Sequence, residues 1–222
     1  MKIGLFDSGR GGTTIFEAVK KRLPEEEYLF IADSKNCPYG EKTEEELYEI
    51  VRKNVEKLLE WGAEIIVVAC NTATVRCIER LRKDYKGVVF VGTEPAVKMA
   101  LESDARKVMI LATPNTIKSE RMQELLKGAK MEVDLLACPG LAETIEQYYD
   151  KDMKEVRKKL DCLLLVDESY DVVVLGCTHY PLVKEEIQKY YPAALLIDGS
   201  DGVAKRVETI VEKMKQDREK GD

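Results

Sequence analysis

The pattern of apolar runs in this chain predicts an α/β fold, and a repeated strand-end cysteine suggests two similar halves. Short apolar runs alternate with helix-length amphipathic stretches almost from end to end. The runs are Lys2–Phe6, Tyr28–Ala32, Glu64–Ala69, Val88–Val91, Lys107–Ala112, Glu132–Ala137, Val172–Gly176 and Ala194–Ile197. They are rich in β-branched residues and mostly apolar at consecutive positions, as strands of a parallel sheet covered on both faces would be. The intervening segments, such as Thr43–Glu60 and Asn71–Lys83, have helix length, so the chain reads as βαβ units. In "EEELYEIVRKNVEKLLE" Lys and Arg alternate with Glu, the mark of a solvated helix face. No Pro-, Gly- or Ser-rich linker divides the chain, and only "KMKQDREKGD" reads as a fraying tail.

Composition narrows the function. With 222 residues, 45% of them apolar, the chain can build two compact cores. A net charge of -6 argues against nucleic acid or an anionic membrane as the partner, since phosphate binding needs clustered Lys and Arg. No run approaches the roughly 18 consecutive apolar residues of a membrane span. Asp7 falls where a signal peptide would be apolar, so a cytoplasmic protein is expected. The six cysteines (37, 70, 77, 138, 162 and 177) include no C-x-x-C pair, and there is one histidine. A disulfide scaffold and a metal site are therefore not expected.

Three strand ends concentrate reactive groups. "EIIVVACNT" and "DVVVLGCTH" repeat one design, with Cys70 and Cys177 lying 107 positions apart. Either two buried strands are alike by composition, or two similar halves each present a thiol at a strand's carboxyl end, where open parallel sheets bind ligands. Cys70 would begin a helix, which favours its thiolate over the ordinary pKa of about 8.5. Asn71 and Thr72 are ready caps, so a capped helix with an inert thiol fits too. "FDSGRGG" sets Asp7 and Ser8 before Gly9, Gly11 and Gly12, a turn whose amides can cradle an anion. The dinucleotide pattern G-x-G-x-x-G is absent, and Asp33 is the nearest acidic residue for a ribose, so a carboxylate anchor fits better. In "GCTHYPL", Thr178 and His179 follow Cys177, and Pro181 suits a first helical turn. A lone histidine is commonly structural, but imidazole beside a thiol at a ligand edge can handle protons near neutral pH. Two thiols with different polar helpers do not make the nucleophile, base and orienter of a hydrolase. They suit stereoinversion: one thiolate takes a proton from one face of a carbon, and a thiol returns one to the other.

"FDSGRGG", "ADSKNCPYG", "ACNTA", "GTEP", "CPGLAETIE" and "GCTHYPL" together resemble the glutamate racemase branch of the aspartate/glutamate racemase superfamily, from Lys2 to about Val207. His179 stands where aspartate racemases generally have Glu. The resemblance implies two α/β lobes, each a mainly parallel sheet flanked by helices, related by a pseudo-twofold axis with the active site between them. The lobes would comprise 1–95 plus 194–222, and 96–193. It implies a homodimeric enzyme without cofactor or metal that interconverts L- and D-glutamate, supplying D-glutamate for peptidoglycan. Cys70 and Cys177 match the two acid/bases, Asp7 the helper of Cys70, His179 the helper of Cys177, and Glu146 a carboxylate supporting the histidine. Ser8, Tyr39, Gly40, Asn71, Thr72, Thr116 and Thr178 match substrate-holding positions. The chain departs from the family at Arg10, usually aliphatic, at Ser34–Cys37, typically "TARV", and at Asn115, normally Gly or Ala. These departures bear on substrate preference, turnover and the interface. Other readings stay open: a relative acting on aspartate or a hydantoin, a non-catalytic amino-acid-binding protein, and a Cys–His hydrolase.

Overall fold

A computed structural model describes residues 1–93 and 96–221. Glu94 and Pro95, the second half of the GTEP stretch and the expected first lobe boundary, lie outside the described residues. The strands are β1 Lys2–Asp7, β2 Glu27–Ala32, β3 Ile65–Val68, β4 Val89–Gly92, β5 Lys107–Ala112, β6 Glu132–Ala137, β7 Val172–Leu175 and β8 Leu195–Ile197. The α-helices are α1 Thr13–Arg22, α2 Glu44–Trp61, α3 Asn71–Asp84, α4 Val97–Leu101, α5 Pro114–Ile117, α6 Glu120–Leu126, α7 Leu141–Tyr148, α8 Met153–Leu163, α9 Lys184–Gln188 and α10 Ser200–Gly221.

The strands form two four-stranded sheets ordered β2-β1-β3-β4 and β6-β5-β7-β8. Every neighbouring pair is parallel, so each half repeats the other's topology. The inner strands β1, β3, β5 and β7 are almost wholly buried, whereas the edges β2 and β6 are half-buried. Consecutive apolar residues supply both faces, as a sheet covered on each side requires. In the first sheet, Phe6, Ile66 and Val68 pack under α2 and α3 with Val51, Leu58 and Leu81. Ile3, Leu5, Ile65 and Val67 face α1 and α10. In the second, Leu111, Val173 and Leu175 meet Ile145, Val156 and Leu160 of α7 and α8. Val108, Ile110 and Val174 meet Val97 and Met122. Helix α2 begins in a capping box between Thr43 and Glu46 and ends at Gly62, whose φ of 92° is the left-handed conformation glycine accepts.

Two sequence expectations change at the C-terminus. The predicted second boundary at 194 assigns β8 to the first lobe, but β8 pairs with β7 (Val173↔Leu196) and belongs to the second sheet. The return to the first lobe begins with α10, whose Val203, Ala204, Val207 and Val211 complete the core around Ile3 and Leu5. The tail expected to fray is helical through Gly221. Met214 packs on that core, and Lys215 and Arg218 pair with Glu26 and Glu64. Among the described residues, no helix is long and apolar enough to cross a membrane.

Candidate active site

Both thiols stand two residues beyond equivalent strands, Cys70 after β3 and Cys177 after β7. Cys70 itself caps α3, because the Ala73 amide donates to its Sγ at 3.5 Å. The predicted caps Asn71 and Thr72 are thereby the first helical residues, and their side chains are free for other work. Asn71 is buried, and its Oδ1 has no hydrogen-bond partner. After Cys177, a 3-10 turn over Tyr180–Val183 carries Pro181 in its first turn. It brings His179 Nδ1 to 3.9 Å from Cys177 Sγ. The thiol residues are 5% and 7% exposed, so the site is closed.

The glycine turn after β1 does hold a carboxylate, but it is the chain's own. The Gly12 and Gly9 amides donate to Asp7 Oδ2 at 2.8 and 3.2 Å. Thr178 adds its hydroxyl to Asp7 at 3.2 Å, a bond between the two halves. Asp33, the residue weighed for a ribose, is engaged by the Tyr39 hydroxyl at 2.7 Å and the amides of Asn36 and Asn54 at 2.8 and 3.1 Å. Tyr39 thus leaves its backbone, not its hydroxyl, for a ligand. A Cβ added at Gly40 would lie 3.5 Å from Thr113, which sets Gly40 beside the second half.

Thr113 is the residue the sequence reading missed. Its Oγ1 lies 3.2 Å from Thr72 Oγ1 and 3.0 Å from Thr116 Oγ1, linking two candidate substrate-holding residues across the halves. The signal was present: Thr113 follows β5 as Ser8 follows β1, the strand-end echo carried one strand further. Ser34 and Arg10 were also missed as site residues. The Ser34 hydroxyl donates to Glu146 Oε1, and the Arg10 amide donates to Oε2 at 2.8 Å. Glu146 Oε2 also meets His179 Nε2 at 2.8 Å. Gly11 makes this approach possible, since a Cβ there would come within 2.6 Å of the His179 amide nitrogen. Cys37 closes the group, with its Sγ, a Glu146 oxygen and a His179 nitrogen within 4.8 Å of one another.

A family model described as Asp/Glu/Hydantoin racemase matches residues 13–207, most of the chain. The chain belongs to this family. It is an enzyme of the racemase class. It is 40% identical over 210 residues to a glutamate racemase of Clostridium novyi (strain NT), covering 92% of this chain and 81% of that one. A crystal structure of the Escherichia coli glutamate racemase in complex with L-glutamate and the activator UDP-MurNAc-ala superposes with a TM-score of 0.85 at 32% identity. That match covers 95% of this chain and 82% of the other. The glutamate racemase isoform RacE1 of Bacillus anthracis gives 0.83 at 30% identity over 96% and 82% of the two chains.

In this racemase, burial dominates the thiol electrostatics. It pushes the Cys70 thiol up to about 12, the Asp7 charge adding to it. The Ala73 amide, the Ser8 hydroxyl and the Thr72 amide pull the other way. The lowering expected from the helix N-terminus is therefore outweighed in the closed form. Cys177 is raised well above its ordinary value, also by burial. Burial raises Asp7 too, against the His179 charge and the Gly12, Gly9 and Ser8 amides. Burial works against ionised Glu146 as well, but hydrogen bonds from His179, Ser34 and the Arg10 amide prevail and hold it at about 2. An open cleft of about 1670 Å³, lined by residues of α3, β4, α6 and α10, contains none of these side chains.

Proposed function

We propose that this racemase interconverts L- and D-glutamate without a cofactor, with Cys70 and Cys177 as acid/bases on opposite faces of the α-carbon. What carries the reading is the equivalence of the two thiols. Each follows the same strand of its own sheet by two residues, is buried, and has a polar companion. For Cys177 that companion is His179, whose far nitrogen is held by Glu146. For Cys70 it is Asp7, whose charge bears on the thiol. As the lobes part and close around substrate, the thiol facing the α-hydrogen gives its own proton to its companion and takes the α-hydrogen. The opposite thiol donates its proton to the other face. Asn71 Oδ1, a buried acceptor without a donor, suits the substrate's ammonium. The hydroxyls of Ser8, Thr72, Thr116 and Thr178 and the Tyr39–Gly40 backbone suit its two carboxylates and the charge that develops between them.

The glutamate substrate is supported by the relatives at 38–40% identity, which are glutamate racemases. His179, where aspartate racemases generally have Glu, agrees with it. In the cell we assign the enzyme to the cytoplasm, as a homodimer supplying D-glutamate for peptidoglycan. The test is polarimetry on purified protein with no cofactor added. Either enantiomer should approach an equal mixture, and either Cys→Ser change should remove most of the turnover. Preference for aspartate or a hydantoin, or ligand-dependent stabilisation without inversion, would replace this reading.

A further inference from the structure

We infer that Cys37, Glu146 and His179 form a capture site for a soft divalent cation such as Zn2+, and that the bound ion switches the racemase off. The site lies at the junction of the halves. Cys37 follows the short 3-10 turn Ser34–Asn36 on the first lobe, while Glu146 on α7 and His179 after β7 come from the second. The thiol sulfur, a carboxylate oxygen and an imidazole nitrogen lie within 4.8 Å of one another. Tetrahedral zinc holds S at about 2.3 Å and N or O at about 2.0–2.2 Å, which spaces its ligand atoms by about 3.3–3.8 Å. Glu146 Oε2 and His179 Nε2 stand at 2.8 Å, so they need only part slightly for a cation to take the place of the proton between them.

The donor set also has the outer support that metal sites use. Ser34 donates to Glu146 Oε1, and the Arg10 amide donates to Oε2, which fixes the carboxylate. His179 is 0% exposed with Nδ1 turned to Cys177, which leaves Nε2 as the atom offered to the group. Cys37 and Glu146 are only partly buried, so an ion can reach them from solvent. The Arg10 guanidinium opposes a cation, its Nε lying 3.9 Å from Glu146 Oε2, but its Nη1 is drawn away to Asp150. Binding exchanges protons for metal: the Cys37 thiol loses its proton to solvent, the imidazole proton passes from Nε2 to Nδ1 through solvent so that neutral His179 offers its Nε2 lone pair, and three metal–ligand bonds form. A water or substrate carboxylate completes the fourth position.

The cation site stands on this geometry, whereas the loss of activity rests on the racemase reading, because the ion takes the companion of Cys177. Two readouts keep them apart. In the first, full-length protein freed of metal is titrated with Co2+ and Zn2+. One equivalent should bind, and Co2+ should show a thiolate charge-transfer band that vanishes in Cys37→Val and Cys37→Ser. In the second, Zn2+ should abolish glutamate racemisation at one equivalent, and a chelator should restore it. Measured against each protein's own metal-free rate, half-inhibition of both variants should need at least about tenfold more Zn2+ than that of the wild type. A band or zinc affinity unchanged in Cys37→Val, or no binding by the wild type, would overturn the site even if racemisation is confirmed. A Cys37-dependent band in a protein that does not racemise glutamate would uphold the site and remove the proposed activity.

Discussion

A buried acceptor without a donor costs about 1–3 kcal/mol, and Asn71 Oδ1 is such an atom in the closed site. In the proposed reaction the substrate's ammonium would donate to this oxygen and remove that cost, so the energy would be returned on binding. Asn71→Ala is accordingly expected to raise KM for glutamate by about tenfold, the equivalent of about 1.4 kcal/mol, with little loss of folding stability. Steady-state kinetics with thermal melting checks this, and an unchanged KM removes Asn71 from the substrate contacts. Gly11 gives a second residue-scale prediction. A methyl group there meets the Thr178–His179 backbone within 2.6 Å, and backbone cannot swing aside as a flexible side chain can. Gly11→Ala is expected to cost about 1–3 kcal/mol by overpacking and to cut turnover, because His179 moves. Wild-type melting and turnover would contradict it. At this scale the sequence was informative where a residue is rare or repeated, as with the single histidine and the echoed cysteines. It marked Thr113 only by its place after a strand and Arg10 and Ser34 only as departures from the family, because their contacts are with partners more than 40 residues away.

The inner strands were legible as apolar runs because each is covered on two faces of a parallel sheet, which leaves few positions for polar residues, and the edges kept enough of the pattern to be read with them. The C-terminal helix was not, because its last turns carry mostly charge and are held by ion pairs that periodicity does not reveal. Arg218 reaches Glu64, and Glu64 also accepts the Lys2 amide at 3.3 Å. Burial works against ionised Glu64, yet the Arg218 guanidinium and the Lys2 amide prevail and hold it below its ordinary 4.5. A carboxylate depressed on folding contributes its full stability above its unfolded value and loses it as pH falls. The end of α10 should therefore be docked at pH 7 and loosen as pH falls below about 4.5. Hydrogen exchange of the 212–221 amides in wild type and Glu64→Gln reads this out. The variant should show the low-pH pattern already at pH 7, and identical protection at both pH values would contradict the account.

Two copies of one four-stranded topology put two thiols at corresponding sheet edges, and the contacts between the copies close the site over them. Those contacts are Thr178 with Asp7, Thr72 with Thr113, and Arg10 and Ser34 with Glu146. The repetition could be read from sequence. The closure could not, since it depends on pairs of polar residues with no periodicity. It bears on the proposed mechanism: burial keeps both thiols protonated, so a two-thiol reaction would require the lobes to part for substrate and a thiol to pass its proton to its companion as they close. The most direct test of two opposed thiols is to start from L-glutamate in deuterium oxide, stop within the first few turnovers, and measure deuterium at the α-carbon of each enantiomer. Two bases predict deuterium in the D-glutamate formed while the remaining L-glutamate keeps its hydrogen. Deuterium entering the remaining L-glutamate as fast as D-glutamate appears, or original hydrogen carried into the D-product, would contradict the account.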